Sequence, residues 1–298
     1  MAIFEYHLVD VFAKEALSGN GLTVFQLCDQ VPTQLLQRIT QEMRQFESIF
    51  LWRIADPHSY QARIFTMEEE LGFAGHPIIG AACVLHAEYY ATDDAVRFHF
   101  QLPEKTVNVI SQRSGSLYQA EMDQGCAYFQ DPIAIENHGE LLSALNLAPE
   151  DLMEGLPLQV VSTGLPYLIV PIKTNLANAR IVKSDFESLL AQYGAKFIFI
   201  LDVPSLEGRT WDNDGRVEDI ATGSAAGPAG AFLVAHKLAE PDIPLVIHQG
   251  RFLGRSSELT VVVHGESASS VRVSGGVIFV GRGHLDLPTG QNKKGKVG

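Results

Sequence analysis

The sequence contains three side chains whose types and surroundings suit proton transfer: Glu47, His76 and Asp219. Glu47 lies between Phe46 and the apolar run that begins at Ile49. Burial among apolar residues raises the pKa of a carboxylic acid, and a raised pKa suits a group that takes up and releases protons near neutral pH. The chemistry that these residues could perform together is therefore acid–base catalysis.

Two stretches of the chain are typical of the starts of buried helices. Residues 73–82 (FAGHPIIGAA) begin an apolar run that continues to Tyr90, and residues 219–227 (DIATGSAAG) lead into a second run, Ala229–Leu238. A helix with almost no polar face is expected to be buried on most sides. Its first turn has N–H groups without partners and a partial positive charge, which together favour anion binding. We expect two similar domains that direct these helix starts at one cleft.

The residues at the two helix starts are candidates for ligand contacts. A helix N-terminus disfavours a charged imidazole, so His76 is expected to be neutral. Asp219 precedes the second helix start, where neighbouring N–H groups could hold its carboxylate or let it shuttle a proton. Gly75 and Gly223 would let the backbone approach a ligand closely, because glycine has no Cβ atom.

Glu47 itself falls at a junction between two predicted elements. Apolar residues at helical spacing predict a helix over Val31–Phe46 with Thr33 as its N-cap, and the strand Ser48–Trp52 follows after Glu47. The composition of residues 18–21 (SGNG) predicts a turn between the first two strands of the chain.

An ordinary structural role is an alternative for each of these residues taken singly. A glutamate after an amphipathic helix is commonly a surface residue, and a histidine before a buried helix is commonly a cap. Asp219 could be the N-cap of the helix that follows it. Residues 222–224 (TGS) form a generic helix start, and the sequence contains neither a GxxxxGK(S/T) phosphate loop nor a GxSxG nucleophile motif.

Composition and charge exclude several classes of partner. The chain has 298 residues, enough for two domains of common size, with 46% hydrophobic and 19% charged residues. Its net charge of -13 argues against nucleic acid or an anionic membrane as a partner, although a small anion can still bind at a helix end. No apolar run reaches the roughly 18 residues of a membrane span.

The cysteines give no sign of a disulfide framework or a metal site. Cys28, Cys83 and Cys126 are scattered and form no CxxC pair and no His/Cys metal spacing. The N-terminal segment 4–12 is predicted to be a strand and not a signal peptide. We therefore expect a reduced, cytoplasmic protein without bound metal.

The order of the predicted elements indicates an α+β fold. Each half of the chain contains strands, a helix, further strands, the buried helix and then closing strands. We expect two pseudo-symmetric domains, each a curled sheet around its central helix. The boundary is predicted in the irregular segment after Asp123, which gives domains 1–124 and 125–290, followed by a disordered tail at 291–298.

The motifs, taken in order, resemble those of the PhzF-like family of phenazine biosynthesis. The resemblance includes Glu47 and spans nearly the whole chain; its motifs are 9–12 (VDVF), 18–20 (SGN), 63–66 (RIFT), 70–76 (ELGFAGH), 162–167 (STGLPY), 218–225 (EDIATGSA) and 273–276 (VSGG). It implies the diaminopimelate epimerase-like fold, with the active site between the two domains. It also implies an isomerase that needs no cofactor and is often a homodimer.

The resemblance further implies roles for individual residues. In the characterised member of the family, a buried glutamate moves a proton between carbons of a small cyclic dihydro-hydroxyanthranilate, and this role maps onto Glu47. His76 and Asp219 match the assisting acid–base and substrate-holding groups. Gly75, Gly223 and Ser224 would supply backbone donors to the substrate carboxylate, and Ser48 and Asn20 are the two further substrate-binding residues.

Two other functions are alternatives to the isomerase. The chain could be a binding or regulatory protein that holds a small anion in the same cleft and performs no reaction. It could also be an amino-acid racemase that uses two cysteines at the helix starts. The second alternative is disfavoured, because the corresponding positions, Ala74 and residues 220–222, contain no cysteine.

Overall fold

The computed structural model describes residues 2–103 and 105–287, so the tail predicted at 291–298 lies outside the described residues. The described strands are β1 (Ala2–Val11), β2 (Asn20–Leu27), β3 (Glu47–Arg53), β4 (Ser59–Phe65), β5 (Glu70–Leu71), β6 (Ala95–Gln101), β7 (Thr106–Ser114), β8 (Leu117–Asp123), β9 (Tyr128–Phe129), β10 (Gln159–Ser162), β11 (Pro166–Ile172), β12 (Phe197–Asp202), β13 (Glu207–Arg209), β14 (Leu245–Gln249), β15 (Ser257–His264) and β16 (Ser270–Leu287). The described α-helices are α1 (Thr33–Met43), α2 (Gly75–Tyr89), α3 (His138–Ala144), α4 (Phe186–Gln192) and α5 (Gly223–Ala235).

The first domain is a closed barrel around α2. Its strands pair in the order β1-β2-β3-β4-β6-β7-β8-β16, and β16 pairs again with β1 to close the ring. Every residue of α2 from Gly75 to His86 is buried. The apolar run after residue 73 therefore forms the predicted buried helix, which begins at Gly75.

The second domain is a curled sheet around α5. Its strands pair in the order β16-β15-β14-β13-β12-β11-β10-β9. Most of α5 is buried, and the helix continues through Pro228 to Ala235. Both central helices are apolar on all sides because sheet surrounds each of them. The predicted α+β fold, with two curled sheets around two central helices, is confirmed.

The long strand β16 belongs to both domains. Its residues 270–274 pair with β15, whereas residues 277–287 pair with β1. The division into 1–124 and 125–290 stays a prediction, although residues 277–287, which it assigns to the second domain, complete the first barrel. An alternating strand pattern shows which residues face a core but not which neighbouring strand they join.

Two predictions about local structure are wrong. Thr33 is not an N-cap: α1 begins at Thr33 itself, Pro32 holds the cap position, and the Thr33 hydroxyl accepts a hydrogen bond from Arg63. Residues 18–21 are not all turn, since Asn20 and Gly21 are the first residues of β2. This places the Asn20 side chain in the wall of the first barrel.

Arg255 ties the two domains together. Its Nη2 atom donates to Asp10 Oδ1 at 2.6 Å and to the Ser18 carbonyl at 2.9 Å, and its Nε donates to the Gly19 carbonyl at 2.8 Å. Asp10 is buried, and its Oδ2 atom accepts from the Leu17 N–H at 2.7 Å. Both oxygens of Asp10 are therefore occupied by donors at the domain junction.

No helix in the part of the chain that the structure describes is long and apolar enough to cross a membrane.

We expect Asp10→Asn to destabilise the protein by about 2–3 kcal/mol, because an amide group would turn a donor toward Arg255 or the Leu17 N–H. Urea unfolding followed by circular dichroism measures this loss. Asp94→Asn is the matched control, since the Asp94 side chain is 97% exposed and lies 3.9 Å from Arg113. Equal stabilities of the two variants would contradict a structural role for the Asp10–Arg255 pair.

Candidate active site

Glu47 is buried at the inner end of the first barrel. It is the first residue of β3, and its side chain is on the same face of the strand as Ile49 and Leu51, which pack in the core around α2. Glu47 is 5% exposed. Desolvation raises its pKa well above the usual value, and the negative charge of Asp219 raises it further.

His76 lies beside Glu47 at the start of α2. Its Nδ1 atom is 3.4 Å from Glu47 Oε2, and the imidazole is buried. Burial lowers the pKa of His76 to about 3. The ring is therefore neutral at physiological pH and adds no positive charge of its own to the site.

The starts of the two central helices meet at the domain junction. Gly75 and Gly223 are the first residues of α2 and α5, and a methyl group placed on Gly75 would lie 3.7 Å from the Gly223 Cα atom. Two positive helix ends therefore face one small region of space, next to Glu47 and His76. Such a region favours an anion.

Asp219 lies on the turn that precedes α5. Its Oδ1 atom accepts hydrogen bonds from Asn20 Nδ2 at 2.9 Å and from the Ala221 N–H at 3.3 Å, and its Oδ2 accepts from the Thr222 hydroxyl. Thr222, not Asp219, holds the N-cap position of α5, so the structural alternative for Asp219 is wrong. Desolvation outweighs these hydrogen bonds and raises the pKa of Asp219.

Two side chains that the sequence analysis did not assign hold the Asp219 turn in place. Gln249 accepts from the Thr222 N–H at 3.0 Å and donates to the Asp219 carbonyl at 2.8 Å. Arg209 is buried and forms two hydrogen bonds with Glu218, at 2.8 and 2.7 Å. The position of Asp219 thus depends on contacts with residues distant in the chain, which no local motif reveals.

Of the two further binding residues that the sequence suggested, Asn20 lies in the site and the side chain of Ser48 does not. Asn20 is fully buried and donates from Nδ2 to Asp219 Oδ1 and to the Ala221 carbonyl, which places it in the site. Ser48 is on the other face of β3 from Glu47, and its hydroxyl is paired with that of Thr23 at 2.6 Å. Ser48 is therefore wrong as a substrate-binding side chain, because neighbouring residues of a strand face opposite ways.

Ser224 lies at the start of α5 and is only partly buried. Its Oγ atom is 2.8 Å from the hydroxyl of Tyr167, a buried residue of β11 that the sequence analysis did not single out. The charges of Asp219 and Glu47 act on Tyr167, so the phenol is within electrostatic reach of both carboxyl groups.

Three buried polar atoms of the site have no hydrogen-bond partner within 2–103 and 105–287. They are Glu47 Oε2, His76 Nε2 and Asn20 Oδ1. A buried polar atom without a partner costs free energy, and such atoms are uncommon unless a ligand or water completes them. The three atoms mark the side of the site at which a polar ligand would bind.

The cysteines are not at the helix starts. The N-cap residues of α2 and α5 are Ala74 and Thr222. Cys28 and Cys126 are exposed, whereas Cys83 is buried within α2, where desolvation raises its pKa to about 12. A two-thiol racemase would need one cysteine at the start of each central helix, and none of the three cysteines lies there.

We expect the wild type to lose stability relative to Glu47→Gln as the pH rises. The pKa of Glu47 is higher in the folded protein than in the unfolded chain, so the wild type loses stability as the pH rises above about 4.5 and glutamine does not. Each unit of that pKa difference contributes about 1.4 kcal/mol. Urea unfolding at pH 4.5, 6 and 8 measures the effect. Glu68→Gln is the control, since Glu68 is exposed; a stability difference independent of pH would contradict the burial of an ionisable Glu47.

Comparison with known proteins shows which family this chain is similar to. The family model for phenazine biosynthesis-like protein, PhzC-PhzF, matches residues 9–283. The trans-2,3-dihydro-3-hydroxyanthranilate isomerase of Pseudomonas aeruginosa is 32% identical, over 94% of this chain and 99% of its own. The solved structure of a predicted epimerase from the same organism is 46% identical, with a TM-score of 0.89, and covers 96% of this chain and 100% of its own.

More distant structures share the fold alone. A hydroxyproline epimerase from Agrobacterium vitis is 12% identical with a TM-score of 0.64, over 96% of this chain and 91% of its own. The first barrel and the second curled sheet, each around its central helix, thus form the diaminopimelate epimerase-like fold. From the family match and the isomerase relatives we conclude that the chain belongs to the PhzF-like family and is a small-molecule isomerase.

Proposed function

We propose that the protein moves a proton between two carbon atoms of a small carboxylate-bearing metabolite, and that Glu47 carries the proton. One observation supports this assignment above the others. Both carboxylate oxygens of Asp219 accept hydrogen bonds, whereas Glu47 Oε2 accepts none in the described part of the chain and lies 3.4 Å from His76 Nδ1. Glu47 is therefore the carboxyl group that is less firmly held by donors and can approach a carbon atom of the ligand.

The electrostatics of the site suit this role. A group that alternates between base and acid works best when its pKa lies near the working pH. Desolvation and the charge of Asp219 move the pKa of Glu47 in that direction. His76 is neutral and adjacent, so it can hold or orient the ligand without fixing Glu47 in its ionised form.

The two helix starts are the proposed site for the ligand's carboxylate. Backbone N–H groups in the first turns of α2 and α5, at Gly75, Gly223 and Ser224, would donate to it. The orphan acceptor on Asn20 adds a second requirement. Both Nδ2 hydrogens of Asn20 are used within the protein, so its Oδ1 atom calls for an O–H or N–H donor on the ligand.

A carboxylate with a neighbouring hydroxyl or amino group meets both requirements. The Pseudomonas aeruginosa relative is named for trans-2,3-dihydro-3-hydroxyanthranilate, a compound with a carboxylate, an amino group and a hydroxyl group. We propose this compound as the first trial substrate. A homodimer and a cytoplasmic location remain predictions.

We expect Glu47→Gln to fold and to bind the ligand but to lose about 10²–10⁴-fold in turnover, because an amide cannot carry the proton. Proton NMR in D₂O, which follows deuterium entering the product carbon, measures the loss. Glu68→Gln is again the control.

A rate for Glu47→Gln close to that of the wild type would show that Glu47 is not the proton carrier. Ligand binding by the wild type without deuterium exchange at any carbon would instead favour the alternative of a binding protein.

Alkylation of the thiols is expected to leave turnover unchanged. Iodoacetamide should modify Cys28 and Cys126, which are exposed, and mass spectrometry would verify this. The rate of the modified protein, compared with a mock-treated sample, is the measurement. A complete loss of activity after modification would revive the thiol-dependent racemase.

A further inference from the structure

Tyr167 is a buried phenol whose hydroxyl lies beside Ser224, at the start of α5, where the carboxylate of the ligand is proposed to bind. It is the second residue of β11 and is 4% exposed. Its ring packs against Phe197, with 5.5 Å between the ring centroids, so the direction of the hydroxyl is held by packing. The hydroxyl oxygen lies 2.8 Å from Ser224 Oγ.

Ser224 is well placed to contact a ligand at the helix starts. It is the second residue of α5, and it is partly exposed although Gly223 before it and Ala225 after it are buried. A serine hydroxyl has one hydrogen to donate and two lone pairs that accept. The partner of its oxygen therefore decides where its single proton points.

We infer that Tyr167 is a positioning residue that donates its hydroxyl proton to Ser224 Oγ, so that the Ser224 proton is directed to the carboxylate of the substrate. This inference rests on the proposed function and deepens it, because it names the side chains that recognise the anion. The arrangement is a chain of two hydrogen bonds, from the buried phenol to the serine and from the serine to the ligand.

Two physical arguments determine which hydroxyl donates in each of the two hydrogen bonds. An anion between the helix starts attracts the Ser224 proton, and a hydrogen bond to a charged acceptor is about twice as strong as one between neutral groups. Tyr167 is also kept as a neutral donor, since desolvation raises its pKa and the charges of Asp219 and Glu47 act in the same direction. Each bond of such a chain polarises and strengthens the next.

The two linked hydrogen bonds predict an effect that a purely structural role of Tyr167 does not. The contribution of the Tyr167 hydroxyl should depend on the charge of the ligand, because the Ser224 proton is fixed most strongly by an anion. If the phenol only filled space and satisfied Ser224, its removal would weaken charged and neutral ligands alike.

The test uses anthranilate and its neutral isostere, anthranilamide, as probes in isothermal titration calorimetry on the full chain. We expect Tyr167→Phe to weaken anthranilate binding about five- to tenfold, the loss of one modest hydrogen bond, and to leave the affinity for anthranilamide nearly unchanged. Ser224→Ala should weaken anthranilate binding at least as much. The double variant should be no weaker than Ser224→Ala alone, because both changes break one chain.

Controls separate this inference from folding defects and from failure of the proposed function. Tyr128→Phe is the matched control, since Tyr128 is 71% exposed, and the melting temperature of each variant shows whether it is folded. Unchanged anthranilate affinity in Tyr167→Phe, or equal weakening of the acid and the amide, would overturn the role of Tyr167 alone. If the wild type does not prefer anthranilate to anthranilamide, the anion site fails and this inference fails with it.

Discussion

The site depends on the meeting of two helix N-termini, those of α2 and α5. Two positive helix ends repel each other, so their contact must be enforced by the structure around them. Each helix is fixed within its own curled sheet, and Phe12 packs between the domains against both Gly223 and Gly275. A methyl group on Gly275 would lie 2.2 Å from the Phe12 ring, so glycine at this position leaves the room that the contact needs.

The same enclosure explains the behaviour of the three titratable groups. Glu47, His76 and Asp219 are all shifted toward their neutral forms, and desolvation is the largest cause for each. For Glu47 this shift moves the pKa toward the working pH, which suits a group that takes up and later releases a proton. Asp219 differs from Glu47 in being held by three donors, which divides one pair of carboxyl groups into a fixed member and a free one.

The parts of the site that the sequence predicted are those with a local physical signal. The buried helices follow from long apolar runs, and Glu47 stood out because its neighbours are apolar. The side chain of Ser48 is on the opposite face of β3 from Glu47, because a strand directs successive side chains to opposite faces, and a family motif does not show this. Gln249, Arg209 and Tyr167 could not be predicted, since their partners Thr222, Glu218 and Ser224 come from other parts of the chain and are joined to them only by the fold.

The path of β16 has a consequence for how the protein is made. The first barrel consists of strands from the N-terminal half of the chain and of residues 272–287, which the ribosome synthesises after the other strands of the second domain. The nascent N-terminal half therefore cannot close its barrel, and the edges of β1 and β8 wait for a strand that is not yet translated. Domains generally fold as units during synthesis, beginning at the N-terminus. Here the order is reversed for the final step, so the barrel that holds Glu47 closes only after β16 has been translated.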